Sequence, residues 1–409
     1  MDSLPTIRCI QLFIALLIIA PCYSQMARNY IRSEEEAKAI VGIVLKESPV
    51  IDGHNDLFVQ FMDCKTCPRD LNAFRLDTIN KGHTDIPRLR KGGAGGMLIN
   101  IFGAEKNPAS YAAAWDLFRR MEKKYHRDLK ITTSSEAMRK AMNEGKIALL
   151  PILEGASRLD NSIELLRKYY QWGLRSVTFA YQTNGLADGS DDKPRHNGIS
   201  NAGKHMVKEM NRLGVIIDMS HISEKAMHAI LDITKAPVIF SHSNARALCD
   251  VNRNVPDNVL LRLKENKGLI MLTFVPYFVK KEHSAWLDAG DSIYYKAKAL
   301  YSHNKMKMDS LMDRWEQDNP QPVVDIADMA DHFDYVKQLI GVGHIGIAGD
   351  FDGISFTIRG LENTSTYPNL LIELARRGWT GDELKMISSG NFLRVFSEIE
   401  DKSRSLNKK

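Results

Sequence analysis

Eight short apolar runs recur along this chain, and most are followed by a segment whose apolar residues have helical spacing. Short apolar runs bounded by turn residues are typical of buried strands. The predicted strands are residues 49–52, 96–101, 147–153, 174–179, 215–219, 237–240, 269–274 and 345–348. The predicted helices are residues 111–126, 162–170, 201–213, 223–233, 258–266, 327–340 and 381–398, with Ser223 and Thr380 as expected N-caps.

Continuously apolar strands that alternate with helices indicate a parallel sheet covered by helices on both faces. Eight such units are the number that closes a barrel. We therefore predict an α/β fold, a (β/α)8 barrel of the TIM type. A doubly wound open sheet is the structural alternative, but no GxGxxG motif follows the first strand, which counts against a dinucleotide-binding fold.

One long segment, residues 280–324, interrupts this alternation after the seventh strand. It is polar and rich in lysine and methionine, with helical spacing at 293–301 and 306–315 but no apolar run typical of a strand. We predict a helical insertion on the face of the barrel where active sites form. The sequence leaves open whether it is surface decoration or a wall of the entrance to a site.

The first 24 residues are typical of a secretion signal. Arg8 precedes an apolar run at 10–20, and Cys22-Tyr23-Ser24 offers small residues for cleavage before Gln25. A run of about 11 apolar residues is too short to span a bilayer comfortably, although an uncleaved anchor is the alternative. We expect a secreted, extracellular protein, or a periplasmic one in a bacterium.

These signals divide the chain into three parts: a signal peptide at 1–24, one barrel domain at 25–400 and a polar tail at 401–409. No hydrophobic tail follows the domain, so neither a lipid-anchor signal nor a transmembrane anchor is expected. The net charge of +5 comes without a dense basic block, which argues against nucleic-acid binding.

Three cysteines remain once the leader is removed, namely Cys64, Cys67 and Cys249. An odd number in an exported protein leaves at least one thiol free or paired with another molecule. Cys64 and Cys67 could form a local disulfide or bind a metal, and we favour the disulfide because no second CxxC motif exists. Asn363-Thr364-Ser365 is a glycosylation sequon.

Side chains that commonly bind metals stand at the predicted C-terminal ends of five strands, the end where barrel enzymes build their sites. They are His54, Asp56, Glu154, His221, His242 and Asp350. Any one of them alone is more often a structural residue. Together, imidazole nitrogens and carboxylate oxygens suit zinc and leave positions open for water.

The set is too large for one ion with an open position, so it suits two ions bridged by a carboxylate and a water molecule. His54 and Asp56 are two residues apart and point to the same side of an extended backbone. We expect a bridging hydroxide to attack a carbonyl, with Asp350 taking the proton of the water.

The motifs around these residues resemble the membrane (renal-type) dipeptidase family, zinc metallopeptidases of the amidohydrolase-like barrel group. The similarity extends from about Val50 to Val395. Its motifs are His-Thr-Asp-Ile-Pro-Arg-Leu from His83, Asp-Met-Ser-His ending at His221, Pro-Val-Ile-Phe-Ser-His-Ser from Pro237, Arg-Asn-Val-Pro-Asp from Arg253 and Gly-Asp-Phe-Asp-Gly from Gly349.

The resemblance implies a role for each site residue. His54 and Asp56 are similar to the ligands of one zinc, His221 and His242 to those of the other, and Glu154 to the bridge between two Zn²⁺ ions per chain. Arg253 is similar to the residue that binds the terminal carboxylate of a dipeptide substrate, and Asp350 to the active-site acid and base. Some members of the family open β-lactam rings. Members often form dimers, which implies a homodimer, although the sequence shows no interface of its own.

Two positions depart from the family pattern. After the fourth strand, Tyr181 stands where the family usually carries a histidine that contacts the substrate carbonyl. Its hydroxyl can donate a hydrogen bond to an oxyanion, so Tyr181 is both a catalytic and a substrate-binding candidate, but it cannot carry the same charge. Cys249 matches a disulfide cysteine of animal relatives, yet no partner cysteine follows Phe278.

Three hypotheses follow for the function. The first is a dizinc dipeptidase that uses a metal-bridged hydroxide. The second is a metal-dependent barrel hydrolase of another amide, lactam or ester, suggested by Tyr181 and the insertion. The third is a metal-binding protein with weakened catalysis, against which the complete set of ligands argues.

Overall fold

The computed structural model describes residues 30–64, 66, 69–101 and 108–408. The predicted signal peptide and Cys67 lie outside these residues, so the predicted cleavage and the predicted Cys64–Cys67 disulfide stay predictions. No helix of the described part is long and apolar enough to cross a membrane.

The described strands form a single parallel sheet. They are β1 (Val50–Asn55), β2 (Ala94–Asn100), β3 (Leu129–Ile131), β4 (Ile147–Glu154), β5 (Ser176–Thr178), β6 (Ile216–Asp218), β7 (Ile239–Phe240), β8 (Leu269–Thr273) and β9 (Ile345–Ala348). The order is β2-β1-β9-β8-β7-β6-β5-β4-β3, and β2 also pairs with β4, which closes the ring. The predicted barrel is therefore confirmed, and each of the eight predicted runs overlaps one barrel strand.

The additional strand, β3, was not predicted. It pairs with residues 147–149 of β4, whereas β5 pairs with residues 152–154 of the same strand. It thus lies at the start of β4 and outside the closed ring. Its three residues, Leu-Lys-Ile, are too short a run to stand out from the sequence around them.

Helices surround the barrel. They are α1 (Glu34–Glu47), α2 (Leu57–Asp63), α3 (Ile86–Lys91), α4 (Pro108–Lys124), α5 (Ser135–Asn143), α6 (Ile163–Trp172), α7 (Asn201–Leu213), α8 (Glu224–Ile233), α9 (Asp257–Glu265), α10 (Pro276–Val279), α11 (Lys281–Tyr301), α12 (Lys305–Asp318), α13 (Ile326–Ile340), α14 (Tyr367–Arg376), α15 (Gly381–Lys385) and α16 (Asn391–Leu406). The side chains of Ser223 and Thr380 accept hydrogen bonds from the first turns of α8 and α15, as predicted for N-caps.

The last predicted helix, 381–398, begins at Gly381 as predicted but differs from the prediction in its interior and at its C-terminal end. A π-helical turn, Met386–Gly390, separates α15 from α16 inside the stretch predicted as one helix. The helix then continues to Leu406, so residues 401–406 are helical and do not form a separate tail. Ser403 Oγ donates a hydrogen bond to the carbonyl oxygen of Arg212 at 2.6 Å, which ties this last turn to α7.

Alternating strand residues fill the interior of the barrel, as the parallel fold requires. Ile51, Leu98, Leu150, Ile216, Ile239 and Met271 belong to one buried apolar cluster. α16 adds Phe392 and Phe396 to the same cluster. The barrel is thus a packed core, and polar chemistry is left to the loops that follow the strands.

The insertion consists of α11 and α12, which is the helical structure without strands that was predicted. Trp286 and Trp315 join the two helices, with ring centroids 5.3 Å apart. Trp286 and His283 also contact the ring of Phe356, at centroid distances of 5.5 and 5.6 Å. Phe356 follows β9, so the insertion packs on the loop that carries Asp350 at the C-terminal face of the barrel.

Candidate metal centre

Six polar residues predicted from the sequence lie at the C-terminal ends of the barrel strands. His54 belongs to the end of β1 and Asp56 follows it directly, while Glu154 is the last residue of β4. His221, His242 and Asp350 stand in the loops just after β6, β7 and β9. Because parallel strands bring these ends to one rim, residues that are almost 300 positions apart in the sequence become neighbours.

Two imidazole nitrogens lie close to one carboxylate oxygen of Glu154. Its Oε1 lies 3.0 Å from Nε2 of His221 and 3.3 Å from Nε2 of His242. The two imidazole Nε2 atoms are themselves 2.9 Å apart. One carboxylate oxygen and two ring nitrogens thus face a common point.

A second group lies beside the first and includes His54. Nε2 of His54 lies 3.7 Å from Oε1 of Glu154 and 3.4 Å from Oδ2 of Asp56. The ligand atoms of His54, Asp56 and Asp350 all lie within 4.8 Å of one another, as do those of His54, Glu154 and His242. Two adjacent groups of donors therefore meet at His54 and Glu154.

Asn100 connects the carboxylates of the two groups, and it was not among the predicted site residues. Its Nδ2 donates hydrogen bonds to Oδ1 of Asp56 at 2.9 Å and to Oε2 of Glu154 at 3.2 Å. These bonds orient both carboxylates with their other oxygens toward the histidines. A polar last residue of the otherwise apolar β2 was the signal in the sequence.

The hydroxyl group of Ser241, which lies between Asp218 and His242, orients the ring of His242. Ser241 Oγ donates a hydrogen bond to Oδ2 of Asp218 at 2.6 Å and lies 2.7 Å from Nδ1 of His242. Since the single hydroxyl proton goes to Asp218, Nδ1 of His242 must donate to Ser241. The proton of the neutral ring is then on Nδ1, and Nε2 keeps its lone pair toward Glu154.

The electrostatics of the centre favour bound cations. Burial lowers the pKa of His221 to about 4, and burial also holds the pKa of His242 well below its usual range. Both rings are therefore neutral, the form that binds metals. Burial opposes ionisation of Glu154, but the facing histidines outweigh it and lower the pKa of this carboxyl well below normal.

His54 shows the need for positive charge most directly. Burial lowers its pKa, but the carboxylates of Glu154 and Asp56 outweigh burial and raise the pKa well above its ordinary value. The ring is fully buried, and neither of its nitrogens has a hydrogen-bond partner among the described residues. Buried polar atoms are normally paired, so an unpaired imidazole beside two carboxylates fits a metal ligand.

Gly353 keeps the space beside this second group open. A Cβ atom at this position would collide with Oδ2 of Asp56 and with Oδ1 of Asp350. The donor set, the unpaired His54 and this cradle together fit divalent cations bound by nitrogen and oxygen ligands.

Asp350 is a buried carboxyl group with an unusual backbone. Its φ of 53° lies in the left-handed region, and its N–H donates to the carbonyl oxygen of His54 at 3.1 Å. Burial raises the pKa of Asp350 to about 7. Such a group can both take up and release a proton near neutral pH.

Arg253 places a guanidinium group next to His242, a candidate metal ligand. It is 6% exposed, and Nη1 and Nη2 donate to Ser243 Oγ and to the carbonyl oxygen of His242, each at 3.3 Å. Its Nε is buried without a hydrogen-bond partner among the described residues. The guanidinium also lies over the ring of Phe278, 5.0 Å from the centroid. A buried cation with an unused donor is suited to bind a carboxylate.

Tyr181 borders the centre from the solvent side. Its ring centroid lies 4.5 Å from that of His221, and the residue is 54% exposed. Burial and the carboxylate of Glu154 raise the pKa of the phenol, which keeps its proton available for donation. The structure thus brings together every site residue predicted from the sequence.

Comparison with known proteins agrees with this fold. The family model described as "Membrane dipeptidase (Peptidase family M19)" matches residues 38–409. Dipeptidase aclJ of Aspergillus oryzae is 33% identical over 389 residues, covering 89% of this chain and 81% of that protein. Dipeptidase tcpJ of Claviceps purpurea is 32% identical over 372 residues, covering 87% and 78%.

Two solved structures share the fold. The probable dipeptidase PvdM of Pseudomonas aeruginosa superposes with a TM-score of 0.77 at 23% identity, covering 90% of this chain and 99% of that chain. A metallo peptidase of Rhodobacter sphaeroides, liganded with a phosphinate mimic of the dipeptide L-Ala-D-Ala, gives 0.69 at 20% identity, covering 86% and 99%. The match of the family model across almost the whole chain and the identity to the two fungal dipeptidases show that this chain belongs to the membrane dipeptidase family, peptidase family M19.

Proposed function

We propose that this chain is a zinc-dependent dipeptidase that hydrolyses the peptide bond of dipeptides at a centre of two zinc ions. The observation that carries the proposal is the convergence of the Nε2 atoms of His221 and His242 on Oε1 of Glu154, at 3.0 and 3.3 Å. Membership of a family of metallo-dipeptidases supports the class of reaction.

The donor groups divide between two ions. His54 and Asp56 would hold one zinc, His221 and His242 the other, and Glu154 would bridge them. Zinc bound in this way lowers the pKa of a water molecule to near neutrality and polarises a carbonyl oxygen. Asn100 keeps the carboxylates of Asp56 and Glu154 in place, and Ser241 keeps Nε2 of His242 available as a ligand.

Arg253 would bind the terminal carboxylate of the substrate. Its guanidinium is buried beside His242, so a carboxylate paired with it would place the adjacent peptide bond over the centre. A buried charge-assisted pair also selects for substrates that have this carboxylate, because a neutral group would leave the arginine unpaired.

Asp350 would move the proton. With a pKa raised by burial to about 7, its carboxylate can take a proton from water and deliver it to the leaving amine. Tyr181 would donate its hydroxyl proton in a hydrogen bond to the substrate oxygen, in the place of a charged imidazole. The weaker charge of a phenol predicts less oxyanion stabilisation than a histidine would give.

A second candidate keeps the metals but changes the substrate to another amide, a lactam or an ester. It is favoured by Tyr181, which is 54% exposed and presents a neutral donor at the solvent side of the centre. A site with less stabilisation of developing charge favours carbonyl groups that are more reactive than a peptide bond, such as those of esters and strained lactams.

Zinc analysis combined with a substrate panel tests both candidates. The purified protein is measured for zinc content and for hydrolysis of dipeptides, amidated dipeptides, N-acyl amino acids, lactams and esters, before and after treatment with a chelator. We expect about two zinc ions per chain and hydrolysis of dipeptides that is lost with the chelator and restored by zinc.

The other outcomes separate the alternatives. Activity confined to N-acyl amino acids, lactams or esters establishes the second candidate, whereas zinc binding without turnover of any substrate establishes a binding protein. Dipeptide hydrolysis that the chelator leaves unchanged contradicts the metal-dependent mechanism itself.

We also propose that the protein is exported and that residues 1–24 are removed. The apolar run at 10–20, the small residues before Gln25 and the sequon at Asn363 support this proposal. N-terminal sequencing of protein recovered from the medium of expressing cells is expected to begin at Gln25. Full-length protein retained in the cytosol contradicts it.

A further inference from the structure

The turn that carries Asp350 is held in a conformation that its residues rarely adopt. Asp350 and Asp352 both lie in the left-handed region, with φ of 53° and 68°. Non-glycine residues pay a conformational cost there, and such strain persists only where surrounding contacts enforce it. The contacts that enforce this turn therefore determine where the Asp350 carboxylate points.

A reciprocal pair of hydrogen bonds joins the turn to the segment before α3. The N–H of His83 donates to Oδ1 of Asp352 at 2.6 Å, and the N–H of Asp352 donates to Nδ1 of His83 at 3.1 Å. The approach is close, since a Cβ at Gly82 would collide with Oδ1 of Asp352. The ring of His83 also packs edge-on against Phe351, with centroids 5.8 Å apart.

His83 is itself fixed from the other side. Its carbonyl oxygen accepts hydrogen bonds from the N–H and from Oγ1 of Thr364, each at 3.2 Å. His83 is thus hydrogen-bonded on one side to the turn that carries Asp350 and on the other side to Thr364, which precedes α14.

The same turn is bonded to the backbone of two metal-binding candidates. Asp350 N–H donates to the carbonyl oxygen of His54 at 3.1 Å, and Asp56 N–H donates to the carbonyl oxygen of Phe351 at 2.9 Å. A shift of the turn would therefore move Asp350 relative to the first strand, which carries His54 and Asp56.

We propose that His83 is a positioning residue that, together with Asp352, clamps the Asp350–Gly353 turn and so aims the carboxylate of Asp350 at the metal centre. The expected effect of the clamp on kcat rests on the proposed function, whereas its effect on the conformation of the turn does not. The histidine contributes through Nδ1 as an acceptor and through its ring contact, without touching the substrate.

Two substitutions separate the hydrogen bond from the rest of the side chain. His83→Leu keeps bulk but removes the acceptor, whereas His83→Asn keeps an oxygen near the position of Nδ1 and should rescue the clamp. His303→Leu, at an exposed position between α11 and α12, is the matched control. Hydrogen–deuterium exchange of peptides that cover residues 349–356 is measured on each full-length protein, together with zinc content, kcat and KM for a dipeptide.

For His83→Leu we expect faster exchange in the 349–356 peptides and a fall in kcat of about tenfold to a hundredfold, the usual effect of displacing a reacting group by about 1 Å. KM and zinc content should change by less than about twofold, because Arg253 and the ligands stay in place. His83→Asn and His303→Leu should resemble the wild type in all four measurements.

Unchanged exchange in His83→Leu overturns the clamp, as does a loss of zinc content that parallels the loss of kcat. If His83→Leu does not fold, Asp352→Ala removes the other half of the pair, and Asp352→Asn, which keeps the oxygen and tolerates left-handed backbone, is its control. If the wild type binds no zinc and cleaves no dipeptide, the proposed function fails, and the exchange measurement still decides the clamp.

Discussion

The hydroxyl of Ser241 lies 2.7 Å from Nδ1 of His242 and donates its own proton to Asp218, so it determines which nitrogen of His242 carries hydrogen. Thr178 Oγ1 donates to the same carboxylate oxygen of Asp218 at 2.5 Å. A chain of side chains from β5, β6 and the loop after β7 therefore fixes the ring of one candidate metal ligand.

Ser241→Ala is expected to weaken zinc binding or activity by about tenfold to a hundredfold, the usual effect of removing the outer partner of a ligating histidine. Without the hydroxyl, Nδ1 of His242 loses its acceptor and the ring its orientation. Titration with a competing chelator measures the change in zinc affinity. Ser405→Ala, in the exposed last turn of α16, is the matched control and should bind zinc as the wild type does. Equal zinc affinities in the two variants would show that the hydroxyl group of Ser241 does not affect zinc binding.

Glu154→Gln is expected to lower kcat at least about a thousandfold and to reduce zinc content, since a bridging charge worth several kcal/mol is lost while the shape is kept. The amide nitrogen would also face the ring nitrogens of His221 and His242 in place of an acceptor. Metal analysis and dipeptide hydrolysis of the purified variant measure both effects. Glu164→Gln in the first turn of α6 serves as the control, and full activity in Glu154→Gln would contradict the bridging role.

Arg253→Met is expected to reduce kcat/KM for a free dipeptide by roughly tenfold to a hundredfold, the value of one charge-assisted hydrogen-bonded pair. The same variant should differ little from the wild type with a dipeptide whose C-terminus is amidated, because that substrate has no carboxylate to pair. Steady-state kinetics with both substrates test the difference. Arg262→Met, which affects an exposed pair with Asp232, is the control. Equal losses of kcat/KM on both substrates would mean that Arg253 supports the structure of the site without binding the carboxylate.

His332 should contribute to acid denaturation. It is buried between Ala245 and Val279, accepting from the N–H of Ala245 at Nδ1, with Nε2 3.0 Å from the carbonyl oxygen of Val279. Burial lowers the pKa of His332 to about 4, so the unfolded chain binds more protons between that pH and 6.5, the ordinary pKa of histidine. The stabilisation is therefore complete above pH 6.5 and is lost as the pH falls toward 4.

The measurement is urea unfolding of the wild type and of His332→Gln at several pH values. Between pH 6.5 and 4, the free energy of unfolding should fall more steeply in the wild type than in His332→Gln. The difference between the two decreases should be at most about 3 kcal/mol. Comparison of the two proteins removes the contributions of the histidines at the metal centre. Parallel pH curves would rule out His332 as the group responsible.

Cys249 should be unreactive in the folded protein. It is 1% exposed, and burial raises the pKa of its thiol to about 12, so the reactive thiolate is absent at neutral pH. Mass spectrometry after treatment with iodoacetamide is expected to show no label at Cys249 until a denaturant is added. Labelling under native conditions would show that the loop after β7 opens.

The barrel and its candidate ligands could be predicted because both follow from short-range patterns. Continuous apolar strands indicate a parallel sheet, and a parallel sheet places every strand end on one rim. His54, Glu154 and Asp350 could therefore be grouped without knowledge of any distance. The short β3 was not predicted, nor were the helices α1, α2, α3, α5, α10 and α14.

The residues that orient the ligands could not be predicted individually. Asn100, Ser241 and Asp218 act through hydrogen bonds whose partners are set by the closure of the barrel, and a polar residue at a strand end has many other uses. His83 was visible as part of a motif, but its contact with Asp352 spans 269 residues and depends on a left-handed turn. The continuation of α16 beyond residue 400 likewise depends on contacts with α7.

The pairing of β1 with β9 places the first and last parts of the centre side by side. During synthesis, a chain whose β9 is still inside the ribosome cannot form the β1–β9 pairing next to His54, and its Asp350 is not yet in place. The candidate centre can therefore assemble only after β9 has been synthesised, and a fragment that ends before β9 would lack Asp350. The topology thus makes the candidate centre a property of the whole barrel and of no shorter N-terminal part of it.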